Sequence, residues 1–237
     1  MNLSDYLYHE EPAGVIYCGD CLEILPLLQD KSIDLVLTDP PYGIGEAAGK
    51  NKSRGRRLKS RGLAAIPNDF RYKWAIPKDY GNQDWDNKPI SDELLSLTIK
   101  SAHSAIVWGG NYYPMSPSSC WLVWDKDNGN SDFADCELAW TNLKMAVRKF
   151  KWRWNGMLQE DMKNKEIREH PTQKPLALMR WCLSLVPNAN LIVDPFLGSG
   201  TTAVAAKQLR RKFIGIENCE AYCKIAVERL RQEELAL

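Results

Sequence analysis

Short apolar runs alternate with helix-patterned segments along this chain, the rhythm that a mostly parallel sheet with covering helices requires. Strand-like runs fall at Gly14–Cys18, Ile33–Leu37, Ala105–Trp108, Trp121–Trp124, Cys136–Trp140, Leu191–Val193 and Phe213–Ile216. Helical patterns lie between them, at Cys21–Leu28, Asp92–Ala102, Pro175–Leu185, Thr201–Leu209 and Ala221–Gln232. Ser91 ahead of Leu94 and Leu95 reads as a helix start, and Pro175 suits a first helical turn. The expectation is an α/β fold with seven strands and no internal repeat. At 237 residues it has room for one domain with a substantial core.

The rhythm breaks over residues 44–88, a stretch rich in Gly, Lys, Arg, Asn and Asp that reads as a long functional insertion. Net charge is only +1, so composition alone does not announce a nucleic-acid partner. Its distribution does more, because nine cations oppose two acids between Glu46 and Lys73. Within that run lie Lys50, Lys52, Arg54, Arg56, Arg57, Lys59 and Arg61. No stretch approaches the ~20 apolar residues that cross a bilayer. The acidic N-terminus, with Asp5, Glu10 and Glu11, lacks a signal-peptide pattern, so the expected location is the cytoplasm. Seven cysteines, an odd number in apolar or strand-like contexts, suit reduced thiols. Cys18 and Cys21 with Cys219 and Cys223 sit on a strand end and a helix rather than on zinc-knuckle turns, so no metal is expected.

Two motifs stand at the ends of strands. In "DLVLTDPPYG", residues 34–43, two prolines follow an acid directly after an apolar run. Proline fixes its own φ and restricts the residue before it, so Asp39-Pro40-Pro41-Tyr42 is a stiff corner holding an acid and an aromatic in one relation. In "LIVDPFLGSGTT", residues 191–202, a strand enters a Gly-Ser-Gly turn and then a helix, which lets backbone N–H groups approach a ligand closely. It is neither a Walker A loop nor a G-x-G-x-x-G fingerprint. The following strand, "KFIGIE", ends in Glu217, placed to accept two hydrogen bonds from a ribose. A plain tight turn followed by a surface Glu would explain either piece alone.

Taken together, "DPPYG" at 39–43, "HPTQKP" at 170–175, "DPFLGSGTT" at 194–202 and "IGIE" at 214–217 resemble the S-adenosylmethionine-dependent DNA amino-methyltransferases. The order of the motifs is that of the β group of these enzymes. "GDCLEILPLL", "WGGN", "FADCELAW" and "WNGM" are lesser matches, and the resemblance runs from Tyr17 to Glu217. It implies a Rossmann-like seven-stranded methyltransferase sheet in circularly permuted order. The strand ending at Asp194 would then be the first of the fold, followed by Phe213–Ile216, Gly14–Cys18 and Ile33–Leu37, with the basic insertion after the fourth.

The resemblance also implies chemistry. The target is an exocyclic amine whose lone pair is delocalised into its ring. Asp39 and the carbonyl of Pro40 would accept hydrogen bonds from it and turn its lone pair toward an electrophilic methyl. Pro41 keeps the corner rigid, and Tyr42 would stack on the flipped base. S-adenosylmethionine would be held by Asp194, Pro195, Phe196, Gly198, Ser199, Gly200, Thr201, Thr202 and Glu217, leaving S-adenosylhomocysteine as product. Asp39 also borders the cofactor, and Asp20 and Cys21 would lie near its adenine, although Asp20 serves equally well as a helix N-cap. His170, Thr172, Gln173 and Lys174 would lie at the methionine end, with Lys174 paired to that carboxylate or the segment simply starting a helix.

"VRKFKWRWNG", residues 147–156, alternates cations and aromatics, so on a strand Lys149, Lys151 and Arg153 share one face and Phe150, Trp152 and Trp154 the other. The cations are candidates for phosphate contacts above packed aromatics. Only Thr141–Glu169 is available for target recognition, less than larger relatives carry, and no nuclease-like segment is left over. The expected enzyme is therefore a standalone modification methyltransferase of the restriction–modification kind. Its expected partner is DNA, not a membrane, and a homodimer is allowed. Asp-Pro-Pro-Tyr, beginning at Asp39, resembles the adenine-modifying members, and that resemblance implies adenine rather than cytosine. Rival readings are a cytosine N4 enzyme, a protein-glutamine methyltransferase (disfavoured by Asp39 and by the motif order) and a catalytically silent DNA-binding regulator.

Overall fold

A computed structural model describes residues 2–28, 33–44, 88–128, 134–155 and 158–234. Among these residues, nine strands form one sheet: β1 Leu7–Glu11, β2 Gly14–Cys18, β3 Ile33–Thr38, β4 Ala102–Trp108, β5 Trp121–Asp125, β6 Cys136–Thr141, β7 Arg148–Lys151, β10 Leu191–Asp194 and β11 Lys212–Glu217. Their spatial order is β1-β2-β11-β10-β3-β4-β6-β5-β7. The run from β2 to β4 is wholly parallel, β6 runs antiparallel to both neighbours, and β1 pairs antiparallel with β2. Two short strands, β8 Trp154–Asn155 and β9 Leu158–Gln159, make a separate ladder.

Counted from β10 as the first strand, the seven inner strands lie in the order 3-2-1-4-5-7-6. This is the permuted methyltransferase arrangement the motifs implied, and every expected strand is present. For this sheet the count of seven falls short by the two edges, and it also leaves out the short β8–β9 ladder. β1 reads as polar because "LYHEE" lines a sheet rim, and β7 is a cation-rich edge strand parallel to β5. Acids and lysines on an edge discourage pairing with another chain, which is why neither strand looks apolar in sequence.

Helices cover both faces. Leu178, Met179, Cys182 and Leu183 of α3 (Leu176–Ser184), Ala203–Ala206 of α4 (Thr201–Gln208) and Cys223, Ala226 and Leu230 of α5 (Glu220–Glu234) pack on Leu35, Leu37, Ile106 and Ile192. On the other face α1 (Cys21–Ile24) and α2 (Asp92–Lys100) bring Cys21, Ile24, Leu94 and Leu95 onto Val36, Val107, Val193 and Ile216. β3 is therefore buried on both sides, as parallel strands between helix layers are. The expected helix at 21–28 closes after one turn and passes into a 3-10 turn over Leu25–Leu27, where Pro26 offers no N–H. Pro175 is the extended N-cap of α3 rather than its first helical residue. Ser91 caps α2 as expected, accepting from Leu94 N at 3.2 Å.

Candidate active site

Strand order reverses between β10 and β3, and ligands of open α/β sheets bind at the carboxyl ends beside such a switch point. Both principal motifs lie there. Thr38, the last residue of β3, donates from Oγ1 to Asp194 Oδ1 at 2.7 Å, and Phe196 N donates to the same oxygen at 3.1 Å. Asp194 thus braces the two motif strands from within the core. Burial pushes its carboxyl up to about 6, against the pull of Thr38, Thr202 and the Phe196 amide.

The loop after β10 turns through Gly198 (φ 53°) and Gly200 (φ 82°). A Cβ on Gly200 would lie 2.8 Å from Ala226 Cβ, so the glycine also lets α5 close on the loop. The Glu217 carboxylate accepts from Gly198 N and Cys219 N, each at 2.8 Å. Burial raises its pKa while these two amides hold it down. A carboxylate offers about four acceptor sites, so Glu217 keeps acceptor capacity beyond these amides. Arg229 of α5, which sequence reasoning missed, donates to Ser199 O at 2.7 Å, Ser199 Oγ at 3.1 Å and Thr201 Oγ1 at 3.0 Å. Ser199 Oγ in turn donates to Gln173 Oε1 at 3.2 Å, so the Gly-Ser-Gly loop is tied to the HPTQKP segment.

That segment is built inward. Gln173 Oε1 also accepts from Glu169 N, while its Nε2 donates to Ile167 O at 3.1 Å. His170 packs edge-on against Tyr222 at 4.4 Å between centroids, with Thr172 N and Oγ1 at 3.3 and 3.1 Å from its Nδ1. Burial, with Lys174 and Arg168 nearby, lowers its pKa to about 3, so the ring is neutral. Asp20 is the N-cap of α1, accepting from Leu22 N at 2.8 Å, and Cys21 is buried with its thiol pushed up to about 12.

Lys174 reaches the proline corner. Its Nζ lies 2.5 Å from Asp39 Oδ2 and 3.2 Å from Glu137 Oε2 of β6, and its side chain is only 6% exposed. Lys126 forms the second ion pair of Glu137. A chain of four charges, Lys126–Glu137–Lys174–Asp39, therefore ends at the proline corner. Burial raises the Asp39 pKa more than Lys174 and the Tyr42 hydroxyl lower it. Glu137, between two ammonium groups, is held at about 2. Nothing in "CELAW" marks Glu137, since an acid on a half-buried strand looks like an ordinary alternating position.

Tyr42 donates its hydroxyl to Asp39 Oδ1 and stacks on Tyr112, with centroids 4.9 Å apart and ring planes at 16°. The open aromatic face expected at Tyr42 is thus covered by a neighbouring ring. Tyr113 donates its hydroxyl to Pro41 O, and Gly109 (φ 69°) passes beneath Tyr42, where a Cβ would come within 2.0 Å of Cε1. These contacts fix the corner from β4.

The candidate DNA contacts divide. Lys50, Lys52, Arg54, Arg56, Arg57, Lys59 and Arg61 lie outside the described residues. On β7 and just beyond it, Lys149 pairs with Asp125 at 3.3 Å, Lys151 with Asp127 at 2.9 Å, and Arg153 also with Asp127. Phe150 stacks on Trp152 and Trp181 at 5.8 and 5.1 Å, while Trp154 is buried with Arg168 over its ring. Trp154 is core, and Phe150 and Trp152 are half-buried against that core. Among the described residues no helix is long and apolar enough to cross a membrane, and no acid, His or Cys cluster is arranged to hold a metal.

Comparison with known proteins agrees with this geometry. A DNA methylase family model, N6_N4_Mtase, matches residues 124–228. The Type II methyltransferase M2.DpnII of Streptococcus pneumoniae is 45% identical over 255 residues, covering 95% of this chain and 92% of its own. Among solved structures, the cytosine-N4-specific PvuII DNA methyltransferase superposes with a TM-score of 0.54 at 19% identity, over 92% of this chain and 86% of that one. The M1.HpyAVI–SAM complex gives 0.50 at 24% identity, over 91% and 98%.

Proposed function

Since the chain belongs to the S-adenosylmethionine-dependent DNA amino-methyltransferases of the N-4/N-6 family, we propose that it methylates the exocyclic amine of adenine in DNA. The observation that carries this reading is the Asp39 carboxylate, fixed on a proline corner beside the glycine loop of β10. The cofactor fits the residues present. A Cβ built on Gly198 meets nothing nearer than His170 at 3.8 Å, so the loop leaves room beside its backbone, and Glu217 retains acceptor capacity next to it. Phe196, Gly198, Gly200 and Glu217 would hold it, with Asp20 toward the adenine. When bound, S-adenosylmethionine supplies an electrophilic methyl on a sulfonium.

The chain supplies positioning. Asp39 and the Pro40 carbonyl accept hydrogen bonds from the target amine, aligning its lone pair with the methyl, and no covalent enzyme intermediate is needed. The base leaves its stack to reach this corner. Tyr112 must then yield its place over Tyr42 for the base to stack there. Aspartate rather than serine at position 39 favours adenine, by the resemblance of Asp-Pro-Pro-Tyr to adenine-modifying members. A cytosine N4 product is the second reading, favoured by the PvuII likeness in fold. Transfer of a tritiated methyl from S-adenosylmethionine to duplex DNA tests the reading, and label appearing in no DNA substrate would overturn it.

Two expectations follow from the cofactor and DNA assignments. Glu217→Ala should raise the S-adenosylmethionine concentration needed for half-maximal rate by about 10–100-fold, the size of one or two charge-assisted hydrogen bonds. An unchanged requirement would leave Glu217 as a latch for the Gly198 and Cys219 amides alone. Neutralising Arg54, Arg56, Arg57 and Lys59 together should lower the log–log salt slope of DNA binding by about 0.9 for each lost phosphate contact. An unchanged slope would remove these residues from the DNA surface.

A further inference from the structure

Lys174 stands between two carboxylates and is held more closely by one of them. Its ammonium hydrogen-bonds Asp39 Oδ2 at 2.5 Å, while the Tyr42 hydroxyl takes Oδ1. Glu137 Oε2 is buried 3.2 Å from the same nitrogen, a longer and weaker contact than the one to Asp39. Asp39 must accept from the incoming amine; each of its oxygens keeps a second lone pair, but the ammonium on Oδ2 draws off the negative charge the amine would bind to. A buried ammonium that simply let go would be left without a partner, which is strongly unfavourable. Glu137 removes that obstacle.

We propose that Glu137 is a positioning residue that draws Lys174 off Asp39 as the target amine docks, so that the ammonium exchanges one carboxylate for another. Lys174 has two successive tasks. Before substrate arrives it lowers the pKa of the buried Asp39, and afterwards it rests on Glu137, whose contact with it shortens. Lys126, paired to the other oxygen of Glu137, keeps that acid in place on β6. The groups facing this exchange are Asp39 and Tyr42 from the corner, Tyr113 after β4, Lys126 after β5, Glu137 on β6, His170 near Lys174, and Asp194 on β10. Burial alone would lower the Lys174 pKa, but Asp39 and Glu137 together raise it, so the ammonium is charged in this arrangement. The inference rests on Asp39 as the acceptor of the amine.

The test is the single-turnover methylation rate of plasmid DNA as a function of pH, with S-adenosylmethionine affinity measured separately by calorimetry. Glu137→Gln should slow transfer about 10–100-fold, the factor for one charge-assisted hydrogen bond, with cofactor affinity unchanged. Glu137→Asp, which keeps the charge, should recover most of the rate. Lys174→Met should move the acid limb to higher pH, because Asp39 loses the cation that lowers its pKa. In that background, adding Glu137→Gln should cost nothing further. A wild-type rate in Glu137→Gln would overturn the exchange, and so would an undiminished Glu137→Gln cost without Lys174. No recovery in Glu137→Asp, the variant that also stands in should Glu137→Gln fail to fold, would overturn it too. A wild-type rate in Asp39→Ala would instead overturn the reading of Asp39 itself.

Discussion

Asp39→Ala should abolish methyl transfer while leaving S-adenosylmethionine binding and the fold nearly intact. Removing one placed hydrogen-bonding group at a reacting centre typically costs about 10²–10³ in rate, and a charged one costs more. The fold should survive because Lys174 still has Glu137 at 3.2 Å, so no ammonium is left bare in the core. Asp39 itself is desolvated enough for its pKa to be raised, so its charge does not stabilise the folded state relative to an exposed acid. The same shift sets a pH signature. A raised carboxyl protonates earlier on acidification, so the wild-type rate should fall at a pH above the ordinary carboxylate value of 3.8. Full turnover by Asp39→Ala, or loss of cofactor binding equal to its loss of rate, would contradict the assignment.

Gly109→Ala should produce the second large loss, at a residue that touches neither acceptor directly. Its φ of 69° disfavours any side chain, and an added Cβ would sit 2.0 Å from Cε1 of Tyr42. Tyr42 has little room to retreat, because Tyr112 stacks on it and its hydroxyl is bonded to Asp39. Displacing the ring therefore displaces the carboxylate. A shift of ~1 Å at a catalytic group costs about 10² in rate, and the left-handed backbone adds about 1–2 kcal/mol of instability. Thermal unfolding should drop by roughly 2–8 °C. A stable variant with wild-type turnover would show that the close approach of β4 to Tyr42 has no catalytic meaning.

Which parts of this architecture were legible in sequence follows from range. Ile33–Thr38 and Leu191–Asp194 read as strands because a strand buried on both faces must be continuously apolar. The proline corner and the Gly-Ser-Gly turn were legible because their backbone demands are local. Glu137 and Arg229 were not. Each acquires its role from residues about thirty positions or more away, Lys174 for the first and Ser199 for the second, and only the fold brings them together. Lys174 was found, but its pairing with Asp39 at 2.5 Å was not legible, since the two lie 135 positions apart and only the fold brings them together. The cations of β7 were visible too, but their pairing with Asp125 and Asp127 depends on β5 lying alongside in parallel register.

The most direct test of the central claim is nucleoside analysis of DNA methylated by the purified enzyme. DNA incubated with S-adenosylmethionine labelled in its methyl group is digested to nucleosides, which are separated and identified by mass spectrometry. The label should appear in N6-methyldeoxyadenosine with the wild-type protein and vanish with Asp39→Ala. Label in N4-methyldeoxycytidine with none in deoxyadenosine would contradict the adenine assignment, while leaving the family, the cofactor and the acceptor role of Asp39 in place.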